Sequence, residues 1–146
     1  MPKFENLSAK ELRQHVADAE ITIAKEKAEN ERKSNDAKRA EYQDFMERIF
    51  TEEDSLRIKK AEIIAADQRF LDVEVMRFSS EFLDDHGRRI NNNAKDWHDS
   101  LTGYALSYLD HFNKIDKSLG YHLIARILNY PNGMIGDVGL YISWEE

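Results

Sequence analysis

The feature that most constrains the fold is a run of 84 residues, from Lys3 to His86, that contains neither glycine nor proline. These two residues interrupt regular structure more strongly than any others. The run is rich in Ala, Glu, Lys and Arg, which favour helices. The sequence therefore predicts a mainly α protein. It has a long helical, coiled-coil-like region over residues 1–86 and a compact α+β region over residues 87–146, which together form one cooperative domain.

Composition narrows the class of protein. The chain has 146 residues, enough for one ordinary domain, and it has no cysteine, which excludes disulfides and cysteine-type zinc sites. Residues 1–6 contain no apolar stretch of signal-peptide length and no segment suits a membrane span, so a cytoplasmic location is expected. The net charge of −7 argues against direct nucleic-acid binding and leaves basic protein partners open.

The first helix has a clear start and a varied course. Ser8 and Glu11 form a capping-box pattern, which predicts that the helix begins near Ala9. Residues 25–41 contain only charged residues, amides, alanine and serine, which indicates an exposed helical arm, with a hairpin bend near residues 34–36 as the alternative. Between the capping box and the arm, four apolar residues follow a heptad seam: Leu12, Val16, Ala19 and Ile23.

Apolar residues return from Tyr42 and continue at helical spacing to Phe82. Thr51 and the three acidic residues after it predict a break and a new helix start. The new helix is expected to end near His86, with Gly87 as the residue that terminates it. Residues 71–75 alternate with period two, which is typical of a strand, so a strand over 69–78 stays open as the alternative.

The last 60 residues combine one helix with a small β element. Asn93 is a suitable N-cap for an amphipathic helix that ends near Gly120. The segments after it favour an antiparallel hairpin or a three-stranded meander with turns at 131–133 and 136–139. A short helix over 122–129 is the alternative, because its apolar residues also fit a period of 3.6.

No catalytic, metal or nucleotide motif stands out. The five histidines contain no pair spaced three or four apart, as a metal site on a helix requires. Gly133, Gly136 and Gly139 have no lysine after them, so they do not form a phosphate loop. We therefore expect a protein that is not an enzyme and has no cofactor.

Two sets of residues are candidates for contacts. A loop with basic and amide side chains suggests a surface for a partner or ligand, and two tryptophans elsewhere are candidate anchors, because large aromatic residues are enriched in binding hot spots. Its candidate residues are Arg88, Arg89, Asn92, Trp97, His98 and Trp144. The apolar stripe over 42–83 suggests a homo-oligomer interface, since a long helix cannot bury its stripe alone. Its candidate residues are Ile49, Leu56, Ile63, Phe70 and Phe78.

The segment LSAKELRQHVADAEITIAKEKAENERK, residues 7–33, resembles the N-terminal oligomerisation helices of bacterial nucleoid-associated proteins of the H-NS type. The resemblance implies a capped, charged helix that carries leucine. The basic DNA-reading loop of that family has no counterpart in the C-terminal part of this chain. Neither function nor residue roles are therefore carried over from it.

Three hypotheses for function follow from these patterns. The first is a non-catalytic interaction protein, in which the helical half forms a homo-oligomer and the C-terminal half binds a protein partner. The second is a small acidic inhibitor, of the phage or mobile-element type, that blocks a basic nucleic-acid-binding protein. The third is a small-ligand-binding protein or enzyme with a site near the C-terminal region.

Overall fold

The computed structural model describes residues 6–146. The expectation that residues 1–6 are not a signal peptide therefore falls mostly on residues 1–5, which lie outside the described part of the chain. The protein consists mainly of helices, with a small antiparallel sheet towards the C-terminus, which confirms the predicted fold class. It divides into two compact units, of which the first ends at Glu41 and the second covers Tyr42–Glu146.

The first helix, α1, runs without interruption over Ala9–Glu47. Its predicted start is confirmed, because the Glu11 amide donates a hydrogen bond to the Ser8 hydroxyl at 3.1 Å. The alternative of a hairpin bend near residues 34–36 is wrong, since this stretch is helical throughout. Pairs one turn apart support the polar section, such as Arg32 and Glu29 at 2.6 Å.

The second helix, α2, covers Glu52–Asp67 and begins at the predicted break. Thr51 and Asp54 form a complete capping box. The Asp54 amide donates to the Thr51 hydroxyl at 3.3 Å, and the Thr51 amide donates to the Asp54 carboxylate at 3.1 Å. Three acidic residues occupy the first turn, where the helix dipole favours negative charge.

The predicted continuation of this helix to His86 is wrong, and the strand alternative is confirmed. Strand β1 covers Asp72–Ser79 and includes Phe78. α2 ends without a glycine because Arg69 itself adopts a left-handed backbone conformation, with φ of 68°. The period-two pattern outweighs helix propensity here because β1 pairs along its length with a buried strand. Gly87 is left-handed but precedes the short helix α3, Arg88–Asn91.

The next predicted helix starts later than expected. Residues Trp97–Ser100 form a 3-10 turn, and helix α4 covers Gly103–His111, so Asn93 is not its N-cap. A tertiary contact explains the delay, because Thr102 is extended and its hydroxyl donates to the Phe82 carbonyl at 2.6 Å. A π-helical turn over Phe112–Asp116 and a 3-10 turn over Lys117–Leu119 continue α4 to Gly120, the predicted end.

The sheet has three antiparallel strands in the order β1-β3-β2. β2, His122–Ile127, and β3, Asp137–Ser143, form the predicted hairpin, so the helix alternative over 122–129 is wrong. The loop between them contains the predicted turn Pro131–Gly133. The second predicted turn, at 136–139, is wrong because β3 already begins at Asp137. β1 supplies the third strand from within the glycine-free run.

The core lies between α4, the sheet and the last turns of α1. Val138, Leu140 and Ile142 of β3 are completely buried. The Phe45 ring, near the end of α1, lies 4.9 Å from the Phe78 ring and 5.1 Å from the Phe82 ring. Strands from both sides of residue 86 therefore belong to one core within residues 42–146.

The backbone at Gly103 packs closely against the backbone of α1 at Phe45. Its φ is 53°, and an added Cβ atom would lie 2.5 Å from the Phe45 carbonyl oxygen. Gly120 is a matched control, because its φ of 96° is also left-handed but no atom lies within 4 Å of an added Cβ. Backbone strain alone costs about 1–2 kcal/mol per residue.

We expect Gly103→Ala to lower the free energy of unfolding by about 1–3 kcal/mol more than Gly120→Ala, because only Gly103→Ala forces α4 away from α1. Urea denaturation of both variants measures this difference. Equal losses of stability in the two variants would show that the contact with Phe45 is not a constraint on the fold.

Candidate functional site

The loop residues predicted to contact a partner do not form a single site. Arg88 is exposed on α3, and Asn92 ends this helix by donating its amide to the Arg88 carbonyl. The Arg89 guanidinium lies 3.6 Å from the Asp96 carboxylate and 4.0 Å from that of Asp85. Arg89 is thus already paired with acidic side chains, which reduces its attraction for an external anion.

The two tryptophans line different parts of the surface. Trp97 stacks on the His98 ring at 3.9 Å and packs against the core. Burial lowers the pKa of His98, nearby Asp99 raises it, and Lys117 lowers it further, with a net decrease. His98 lines a depression together with Phe112 and Leu123. Trp144 instead lines another cavity, so the predicted set is divided between two places.

The predicted oligomer-interface residues also separate. Phe78 is only 6% exposed and belongs to the core, so in this fold it is not available to a second copy. Ile49, Leu56, Ile63 and Phe70 are each more than half exposed. These four residues stay candidates for an interface.

A cavity in the compact unit lies beside Trp144. It has a volume of about 340 Å³ and is lined by five residues, contributed by α2, the segment after Gly120 and the C-terminal segment. The Trp144 amide donates to the Leu71 carbonyl at 3.0 Å, which holds the indole-bearing backbone next to β1. The cavity-lining residues are Glu62, Ile63, Ala66, Tyr121 and Trp144.

Glu62 lines this cavity, and the charge of Asp116 acts on it. The Tyr121 hydroxyl donates to the Glu62 carboxylate at 3.5 Å. Burial raises the pKa of Glu62, the negative charge of Asp116 raises it further, and Tyr121 and Lys59 oppose the rise. Burial likewise raises the pKa of Asp116, against the opposing effects of His111 and Lys59. The negative charge of Asp116 therefore disfavours the charged form of Glu62.

Tyr108 adds a buried hydroxyl to the same cluster. Its ring is completely buried, and its hydroxyl has no hydrogen-bond partner among residues 6–146. Burial raises the pKa of Tyr108, and the charges of Asp116 and Glu62 raise it further, so this hydroxyl lies in the field of both carboxylates. Buried polar groups without a partner are uncommon and call for a specific explanation.

Sequence reasoning did not find this cluster. Glu62 lies on α2 and Asp116 lies in the turn after α4, 54 positions further along the chain, so no residue spacing joins them. Asp116 lies in a π-helical turn, and such turns are often found at functional sites. The sequence does not predict this turn, because Phe112–Asp116 also fits an ordinary amphipathic helix.

Within residues 6–146, no three acidic or histidine side chains come together as a metal site would require. In the same part of the chain, no helix is both long enough and apolar enough to cross a membrane.

Comparisons with protein-family models, with curated proteins and with solved structures returned no match to this chain.

The carboxylate pair has a testable effect on stability. A raised carboxyl pKa means that the folded state binds more protons than the unfolded state just above the ordinary pKa. Stability therefore falls as pH rises through this window, and the charged pair disfavours folding above it. Glu62→Gln removes one charge and keeps the shape of the side chain.

We expect Glu62→Gln to raise the free energy of unfolding at about pH 7 by a few tenths of a kcal/mol to about 1 kcal/mol, and to have no such effect at about pH 3. Urea denaturation at the two pH values measures the difference. Glu145→Gln, which removes an exposed charge near the C-terminus, is the control. A loss of stability at neutral pH in Glu62→Gln alone would contradict the repulsion between Glu62 and Asp116.

Proposed function

We propose that this chain is a non-catalytic protein-interaction protein, in which α1 joins two copies and the compact unit of residues 42–146 binds another protein. The observation that carries the proposal is the exposed heptad seam of α1. Leu12, Val16 and Ile23 are each more than half exposed in the structure. Apolar side chains at spacings of four and three residues are the pattern by which one helix packs against another.

The occupant that fits this seam best is a second copy of α1 in the antiparallel direction. In a parallel pair, the seam would continue through Glu26 and Lys33 at core positions, and each would face its own copy. Like charges at such positions destabilise the pair. An antiparallel pair centred between Val16 and Ala19 places Leu12 opposite Ile23 and leaves Glu26 opposite Ala9.

Charges beside the seam agree with the antiparallel direction. Arg13 and Glu20 occupy equivalent flanking positions, each one residue after a seam residue. In the antiparallel arrangement, Arg13 of one copy approaches Glu20 of the second copy, and the contact occurs twice by symmetry. The seam has four layers, two of which contain alanine, so we propose a dimer whose population rises with protein concentration.

The chain offers a matched pair of variants for this interface. Ile23 lies in the seam, whereas Ile21 is also more than half exposed but lies about 200° away around the helix. We expect Ile23→Asp to abolish the dimer and Ile21→Asp to leave it intact, because only Ile23 becomes buried on pairing. Sedimentation equilibrium over a concentration series measures both variants.

Ile63→Asp adds a third arm, since Ile63 belongs to the interface that the sequence predicts along residues 42–83. Loss of the dimer in Ile63→Asp, with Ile23→Asp unchanged, would place self-association on α2 and contradict the role of α1. Loss in both Ile21→Asp and Ile23→Asp would show a general effect of added charge instead of a seam.

Charge reversal tests the direction of pairing. We expect Arg13→Glu to weaken the dimer, because it places two glutamates beside each other at both symmetric contacts. Combining it with Glu20→Arg is expected to restore the dimer, since the opposite charges meet again. Sedimentation equilibrium at low and high salt measures both. A double variant that is no more dimeric than Arg13→Glu alone would contradict the antiparallel register.

A further inference from the structure

Glu62 lines the cavity beside Trp144, and the charge of Asp116 acts on it. Among residues 6–146, neither Glu62 nor Asp116 forms an ion pair within 4.0 Å, although both are partly buried. Lys59 and His111 act on the pair only at longer range. A positive group stabilises a partly buried carboxylate, so Glu62 is the group in this cavity that a cationic ligand would contact.

The walls of the cavity restrict what can complete it. Trp144 and Tyr121 supply aromatic surface, and Ile63 and Ala66 supply aliphatic surface beside the Glu62 carboxylate. A long cationic side chain matches this combination, because its stem packs on apolar surface while its charged end meets a carboxylate. Ammonium and guanidinium groups are also attracted to aromatic faces.

The surroundings indicate that the cation belongs to a protein. Ile63, which lines the cavity, is more than half exposed, and so are Ile64 beside it in the chain and Leu71. Leu71 adjoins Trp144 through the backbone hydrogen bond between them. A small cation would leave these side chains in water, whereas a peptide segment with apolar residues on either side of the basic one would cover them. The chain's net charge of −7 favours the approach of such a basic segment.

We propose that the cavity lined by Glu62, Tyr121 and Trp144 binds a lysine or arginine side chain of a protein partner, within an apolar segment of that partner. The charged end lies against Glu62, in the field of Asp116. The aliphatic stem packs on Trp144 and Ile63. This inference rests on the proposed function, because it names the partner surface of the interaction protein, and it does not depend on dimer formation through α1.

The test uses the full chain and defined peptide probes. The probe is a blocked peptide of sequence Leu-Ala-Lys-Ala-Leu, with an arginine version and a matched version in which glutamine replaces lysine. Binding is followed by NMR, through the indole N–H signal of Trp144, which the variant Trp144→Phe assigns. Butylammonium chloride is the small-cation probe.

We expect saturable shifts of the Trp144 signal with the lysine and arginine peptides, and affinity at least about tenfold weaker for the glutamine peptide. The double variant Glu62→Gln with Asp116→Asn is expected to lose this preference, while Glu145→Gln keeps it. Circular dichroism confirms that the variants fold. Ile23→Asp, assayed in parallel, is expected to bind the peptide like the unmodified chain, so failure of the dimer and failure of this site are distinguished.

Three outcomes would overturn the proposal. The first is the absence of any shift with the basic peptides, and the second is equal binding of the lysine and glutamine peptides. The third is butylammonium binding as tight as that of the lysine peptide, which would assign the cavity to a small cation instead of a protein segment.

Discussion

The complete burial of β3 is the constraint on which the compact unit depends. Val138, Leu140 and Ile142 have no exposed surface, and both edges of the strand are paired. β1 lies inside the glycine-free run and pairs with β3. The run must therefore stop being helical before Asp72. The same pairing places Phe78 against Phe45 and thereby fixes the last turns of α1 on the core. A strand of seven residues thus decides where the long helical run breaks.

Local signals were sufficient to predict the elements that depend on local contacts. The starts of α1 and α2 follow from capping patterns, in which side chains satisfy amides three residues away. The β2–β3 hairpin follows from turn chemistry around Pro131 and Gly133. These interactions lie within a few residues, so single-sequence reasoning can find them.

The elements for which the preferred sequence prediction was wrong depend on distant contacts. β1 forms a strand because it pairs with β3. α4 begins after the predicted position because the Thr102 hydroxyl is hydrogen-bonded to the Phe82 carbonyl. The candidate site is non-local in the same way. Trp144 was recognised as a possible anchor from its residue type, but Glu62 and Asp116 had no pattern that joined them. Residue spacing carries no information about two carboxylates that meet only after folding.

The proposed function follows from surfaces that the fold leaves unused. The core accounts for the apolar residues of α4 and of the sheet, whereas the seam of α1 and the rim around Trp144 stay exposed. Each surface combines exposed apolar side chains with charges that specify what covers it. Arg13 and Glu20 are complementary in the antiparallel pair that we propose, and Glu62 is the contact that we propose for a basic side chain. This division of roles is why one surface is assigned to a second copy and the other to a basic partner.

The most direct test of the account is the mass of the unmodified chain in solution, measured by light scattering over a series of protein concentrations. The account predicts a mass that rises from that of one chain towards that of two chains as concentration increases. A mass that stays at one chain over the whole series would contradict self-association through α1.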